Sequence, residues 1–206
     1  MLPLQFITHQ TERYSYEESA EIALKGGCKW IQLRMKGHTD DEVRPIARRL
    51  LKACRAAEAV LIIDDRVHLV NEIQCDGVHL GQQDMPIAEA RSLLGEGFLI
   101  GGTANTPEQA VQVCVDGGDY VGCGPFRFTT TKENLSPVLG LEGYKSIVSA
   151  LRAKRIRRPI CAIGGITLDD VPAIMQTGVQ GIAVSGAILH APDPIQAIHR
   201  FLHCPY

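Results

Sequence analysis

Along the chain, short apolar runs alternate with longer stretches whose apolar positions recur at helical spacing. The runs at 4–8, 30–34, 60–64, 76–80, 98–103, 120–124, 159–163 and 181–184 predict strands. Several are continuously apolar, as expected for strands covered on both faces. Helical periodicity predicts helices over 16–25, 40–57, 86–94, 107–116, 141–151, 169–177 and 194–202. The link between the third and fourth strands, 66–75, reads as too short for a full helix. Local signals agree with these bounds. Thr106-Pro107 offers a cap followed by proline in the first helical turn, and Asp169-Asp170 reads as a cap and dipole pair. Gly26-Gly27 and Gly117-Gly118 stand where helices end and a left-handed residue is wanted.

Strands alternating with helices predict a parallel sheet, and eight is the number that closes a barrel. The predicted fold is α/β, a single-domain (β/α)8 TIM barrel spanning 1–206. The main alternative, an open doubly wound sheet, is disfavoured because no GxGxxG follows the first strand. A length of 206 residues suits one compact domain without a linker or short-period repeat.

Composition adds mainly exclusions. A hydrophobic fraction of 45%, a charged fraction of 21% and a net charge of -2 are ordinary, so no nucleic-acid partner is expected. The seven cysteines show no CxxC and read as small core thiols in a reducing compartment. The N-terminus lacks a leader pattern and no apolar stretch has membrane length, so a cytoplasmic location without membrane association is expected. The basic run over 152–158 reads as a solvated helix end, and His79 as a satisfied barrel histidine. His190, His199 and His203 show no ligand spacing.

In such a barrel, function gathers at the carboxyl ends of the strands. Strand two ends in Gln32-Leu33-Arg34-Met35-Lys36, where alternation puts Gln32, Arg34 and Lys36 on one side. Those side chains are costly to turn into a barrel without an anion or polar partner. Asp64-Asp65-Arg66 ends strand three, and Gly81-Gln82-Gln83-Asp84 follows strand four. Carboxylates at neighbouring strand ends could share one Mg2+ with waters and phosphate oxygens, while Asp65 alone also fits a salt bridge to Arg66 or a turn cap. After strand six, a long polar loop containing Thr129-Thr130-Thr131-Lys132 runs to about Gly140 and suits phosphate. Gly164-Gly165 ends strand seven and Ser185-Gly186 ends strand eight, the recurring phosphate position of barrels.

Taken in order, the residues at 32–36, 64–66, 76–84, 119–125, 129–132, 162–166 and 184–185 resemble the thiamine-phosphate synthase family, and the resemblance covers nearly the whole chain. It implies a Mg2+-dependent barrel enzyme that joins a hydroxymethylpyrimidine diphosphate to a thiazole phosphate and releases pyrophosphate. It implies a pyrimidine-diphosphate site at Gln32, Arg34 and Lys36, with Asp65 and Asp84 as Mg2+ ligands. Thr129, Thr131, Gly165, Val184 and Ser185 resemble the thiazole-phosphate contacts, and Lys132 the pyrophosphate-binding lysine. Arg34, Lys36 and Lys132 then form the catalytic set, and the thiazole nitrogen is the nucleophile, in line with the lack of a Ser-His or Cys-His constellation.

Two substrate-binding positions depart from the family pattern. Asp64 stands where Asn is usual, and Thr103 where Ser is usual. Thr keeps the hydroxyl, whereas Asp loses the amide donor. Neighbours on an extended strand point to opposite sides, so Asp64 is expected beside the pyrimidine or a metal-bound water, outside the first coordination shell. The rival readings are a thiazole tautomerase of the same superfamily and a non-catalytic phosphate-binding barrel. The joint presence of Arg34, Lys36, Asp65, Asp84 and Lys132 favours the synthase.

Overall fold

Eight parallel strands pair in sequence order, and β8 returns to β1 to close the barrel. They are β1 (Leu4–Ile7), β2 (Trp30–Leu33), β3 (Val60–Asp64), β4 (Gly77–Leu80), β5 (Leu99–Ala104), β6 (Tyr120–Cys123), β7 (Ile160–Ile163) and β8 (Gly181–Val184). This computed structural model describes residues 4–128 and 137–205, and the TIM barrel expected from the alternation is the fold.

The helices follow the predicted bounds closely: α1 (Tyr16–Lys25), α2 (Asp40–Ala56), α4 (Ile87–Leu94), α5 (Pro107–Val115), α6 (Gly140–Ala153), α7 (Val171–Gln176) and α9 (Pro194–Leu202). A 3-10 turn, Leu168–Asp170, leads into α7. Two further helices were not foreseen. The link at 66–75 holds α3 (Val67–Ile73), which corrects the expectation that it was too short. Seven residues make about two turns, enough to bury Val67, Leu69, Val70 and Ile73 before Gln74 turns left-handed and ends the helix. The other is α8 (Gly186–Leu189), directly after β8.

The predicted signals are realised with one change: Thr167, not the Asp169-Asp170 pair, is the cap, and the two acids lie in the first turn behind it. Thr106 accepts from the Gln109 N–H ahead of Pro107, and Thr167 and Asp170 cap each other reciprocally. Gly27 and Gly117 adopt φ of 91° and 97°, the left-handed region that favours glycine. All seven cysteines are free thiols, five of them buried. The basic run is solvent-exposed at Arg152, Lys154, Arg155, Arg157 and Arg158. Among the described residues, no helix is long and apolar enough to cross a membrane.

Alternation along each strand sorts side chains between two environments. Leu4, Phe6, Ile31, Leu33, Leu61 and Ile63 face the helices in one continuous core. Ile7, Trp30, Ile62, Tyr120, Cys161 and Ala183 pack together inside the barrel, with Trp30 and Tyr120 edge to face at 4.9 Å. Trp30 and Tyr120 open their strands, so this plug fills the amino-terminal part of the barrel and leaves space toward the carboxyl ends.

Candidate active site

Above the plug lies a cavity of about 470 Å³, lined from the carboxyl ends of the strands. Of the residues singled out from the sequence, Gln32, Arg34, Lys36, Asp64, Asp65, Thr103, Gly165, Val184 and Ser185 line it together. Asp84 stands directly behind the lining, where its Oδ2 accepts from the Gly81 N–H at 2.6 Å. Thr129, Thr131 and Lys132 lie outside the described residues.

One end of the cavity is charged. The side-chain alternation of β2 continues past the strand, so Arg34 and Lys36 face the cavity while Leu33 and Met35 are buried in the outer core. The Arg34 backbone N–H donates to Thr8 Oγ1 at 3.0 Å, which ties the end of β2 to β1. Arg66 holds the segment beyond: its guanidinium donates to Met35 O at 3.2 Å, His38 O at 2.7 Å and Asp40 Oδ1 at 3.0 Å. Arg66 is thus engaged elsewhere, and Asp65 pairs instead with Lys36, Nζ to Oδ2 at 3.0 Å.

Asp64 and Asp65 both line the cavity although they are adjacent. Asp65 adopts φ of 66°, and this left-handed residue breaks the alternation that would have turned it outward. Burial, then the neighbouring Asp65, push the Asp64 carboxyl up to about 7, against the opposing pull of Arg34 and Lys36. Its Oδ2 lies 3.5 Å from Arg34 Nε and finds no hydrogen-bond partner among the described residues.

Asp65 and Asp84 hydrogen-bond to each other. Burial and that contact raise Asp65, while for Asp84 the Asp65 and Gly81 hydrogen bonds outweigh burial and lower it. Two carboxylates this close need a proton or a cation between them. Burial alone would lower the Lys36 ammonium, but its hydrogen bond to Asp65 and the charges of Asp64, Asp65 and Asp84 hold it above its ordinary range. Hard oxygen donors in this arrangement fit a divalent cation such as Mg2+. No cluster of three metal-ligating side chains occurs among the described residues, so water or ligand oxygens would have to complete the shell.

The other end is built from backbone. Gly164 and Gly165 have φ of 104° and 67°, and Ser185 and Gly186 follow β8 beside them in the lining. Ser185 Oγ is buried with no hydrogen-bond partner among the described residues, a donor suited to an anion's oxygen. Ser185→Ala is expected to leave the melting temperature unchanged or slightly raised, because it removes an unpaired buried hydroxyl. It should also weaken inorganic phosphate binding roughly three- to tenfold. Calorimetric titration with phosphate beside a thermal melt reads both.

Between the two ends lies a polar floor. Gln5 Nε2 donates to Tyr120 OH at 3.3 Å, Tyr120 OH bonds His79 Nδ1 at 3.0 Å, and His79 Nε2 bonds Thr103 Oγ1 at 3.0 Å. His79 is therefore satisfied, as expected, but as part of the cavity wall. Gln5, Thr8, His9, Asn105 and His190 also line the cavity and were missed in the sequence. His9 is held below its ordinary range by burial, then by Arg34 and His190. Their one available signal was position, on β1 for Gln5 and just past β1, β5 or α8 for the others, without a motif to mark it.

The sequence profile of the thiamine monophosphate synthase family matches residues 4–188. The chain belongs to that family. It is 62% identical to thiamine-phosphate synthase of Bacteroides fragilis, over 98% of this chain and 100% of that one. It is 59% identical to thiamine-phosphate synthase of Bacteroides thetaiotaomicron, over 98% and 97%. Among solved structures, thiamine phosphate pyrophosphorylase from Pyrococcus furiosus superposes with a TM-score of 0.83 at 34% identity, covering 97% of this chain and 93% of that one. A 3-hexulose-6-phosphate synthase reaches 0.73 at 17% identity, which speaks for the barrel alone.

Proposed function

We propose that the protein is a thiamine-phosphate synthase whose whole chain acts as one catalytic barrel domain. It joins 4-amino-2-methyl-5-(diphosphooxymethyl)pyrimidine to a thiazole phosphate and releases pyrophosphate. The observation that carries this reading is the joining of two anion sites in one cavity. One is the Arg34–Lys36 pair beside the Asp65–Asp84 carboxylates, and the other is the Gly165–Ser185 cup. Two phosphorylated substrates need two such sites. The free thiols agree with a cytoplasmic location.

In this reading, Asp65 and Asp84 would hold Mg2+, which offsets negative charge on the diphosphate. Arg34 and Lys36 take the diphosphate oxygens. Gln32 and Thr103 orient the pyrimidine on the floor, with Asp64 beside it. Gly165, Val184 and Ser185 take the phosphate of the thiazole. Thr129, Thr131 and Lys132, outside the described residues, are proposed to complete the thiazole-phosphate and pyrophosphate contacts. The bond between the pyrimidine methylene carbon and the diphosphate oxygen breaks, and pyrophosphate departs with the electron pair. The thiazole nitrogen then donates its lone pair to the methylene carbon. No side-chain nucleophile is required, and catalysis is positioning plus stabilisation of the charge that grows on the leaving group.

Calorimetric titration with the pyrimidine diphosphate tests the reading against its rivals. Affinity that appears with Mg2+ and is lost in chelator is expected. A thiazole tautomerase or a simple phosphate-binding barrel would bind thiazole phosphate but show no Mg2+-dependent affinity for the diphosphate.

A further inference from the structure

The polar chain across the cavity floor has a direction, because its members differ in what they can donate. Gln5 gives an amide proton to the Tyr120 oxygen, and Gln32 also bonds that oxygen. The phenol is fully buried, which keeps it protonated, so its single proton needs an acceptor. His79 Nδ1 stands at 3.0 Å. A neutral imidazole that accepts at Nδ1 carries its own proton on Nε2. That nitrogen faces Thr103 Oγ1 at 3.0 Å, so the Thr103 oxygen accepts and its O–H is left to point elsewhere. Thr103 lines the cavity.

We propose that Tyr120 is a positioning residue: acting through His79, it fixes Thr103 as a hydrogen-bond donor to an acceptor atom of the heterocycle held on the cavity floor. The identity of that heterocycle rests on the functional reading above; the polarity of the chain does not.

The packing around the two rings supports a built feature. A Cβ on Gly122 would lie 2.8 Å from His79 Cε1, and one on Gly101 would collide with the Tyr120 ring. Two strands thus carry glycine where the ring pair needs room, and the rings lie 5.5 Å apart at a tilt of 32°. Gln82 Nε2 donates to the Thr103 carbonyl, which holds the main chain of the residue being oriented. Thr103 is also β-branched, with a stiff first side-chain torsion, so its hydroxyl keeps the direction set for it.

Nitrogen-15 NMR of histidine-labelled protein reads the arrangement directly, with His79→Gln to assign the signals. The expected spectrum has His79 protonated on Nε2 with Nδ1 bare; a proton on Nδ1 overturns the proposal. This reading needs no turnover, so it remains interpretable even if the synthase assignment fails. Kinetics supply the second arm. Tyr120→Phe should raise KM for the pyrimidine diphosphate roughly three- to tenfold, the loss of about one buried hydrogen bond. KM for the thiazole phosphate should not move. Because Tyr120 acts through Thr103, the Tyr120→Phe, Thr103→Val double variant should be no worse than Thr103→Val alone. Additive losses, or equal losses for both substrates, would mean that Tyr120 only packs the barrel.

Discussion

Asp65→Asn is expected to lower kcat/KM for the pyrimidine diphosphate by on the order of 10²–10³ and to raise the Mg2+ concentration needed for half-maximal rate. Asp64→Asn should keep most of the activity. Only Asp65 touches both Lys36 and Asp84, and only it has been turned toward Asp84 by a left-handed backbone. Asp64 ends β3, and the cation nearest it is Arg34, at 3.5 Å. Asn adopts the left-handed region at least as readily as Asp, so Asp65→Asn changes charge without straining the turn. At position 64 the amide also restores the donor usual in the family. The two variants are compared across a Mg2+ titration beside thermal melts. Equal losses, or a worse loss in Asp64→Asn, would make Asp64 a true metal ligand.

Arg34→Met should lower kcat by on the order of 10²–10³ while KM for the thiazole phosphate stays within about threefold. Methionine keeps much of the arginine stem against the cavity wall and removes the guanidinium alone. The side chain faces the charged end, and its own backbone N–H is fixed by Thr8, so the variant should retain the local main chain. A group that meets charge growing on departing pyrophosphate acts on the transition state more than on ground-state binding. Single-turnover rates with saturating substrates separate these cases. An unchanged rate with a weakened diphosphate KM would reduce Arg34 to a binding residue.

The barrel was legible because its signals are local. Buried parallel strands leave continuous apolar runs such as 60–63, and turn glycines and caps mark what lies between. The two helices that escaped are short. The first, α3, spends its four apolar residues in about two turns, and α8, set off from β8 by Ser185, has only four residues, too few to show a helical period. At the site, Gln32, Arg34 and Lys36 were found from their phase on one strand. The doubling-back of Asp65 could not be read, because a left-handed non-glycine residue leaves no compositional mark. The Gln5–Tyr120–His79–Thr103 chain was equally hidden. Its members come from β1, β6, β4 and β5, and only closure of the barrel brings Gln5 and Tyr120, 115 positions apart, into contact.

The most direct test is to supply the purified protein with the pyrimidine diphosphate and the thiazole phosphate and to measure thiamine phosphate and pyrophosphate together. The account predicts equimolar formation of both with Mg2+ and none in excess chelator. Undiminished product in chelator would remove the metal from the mechanism. Absence of thiamine phosphate with Mg2+ and both substrates present would contradict the central claim.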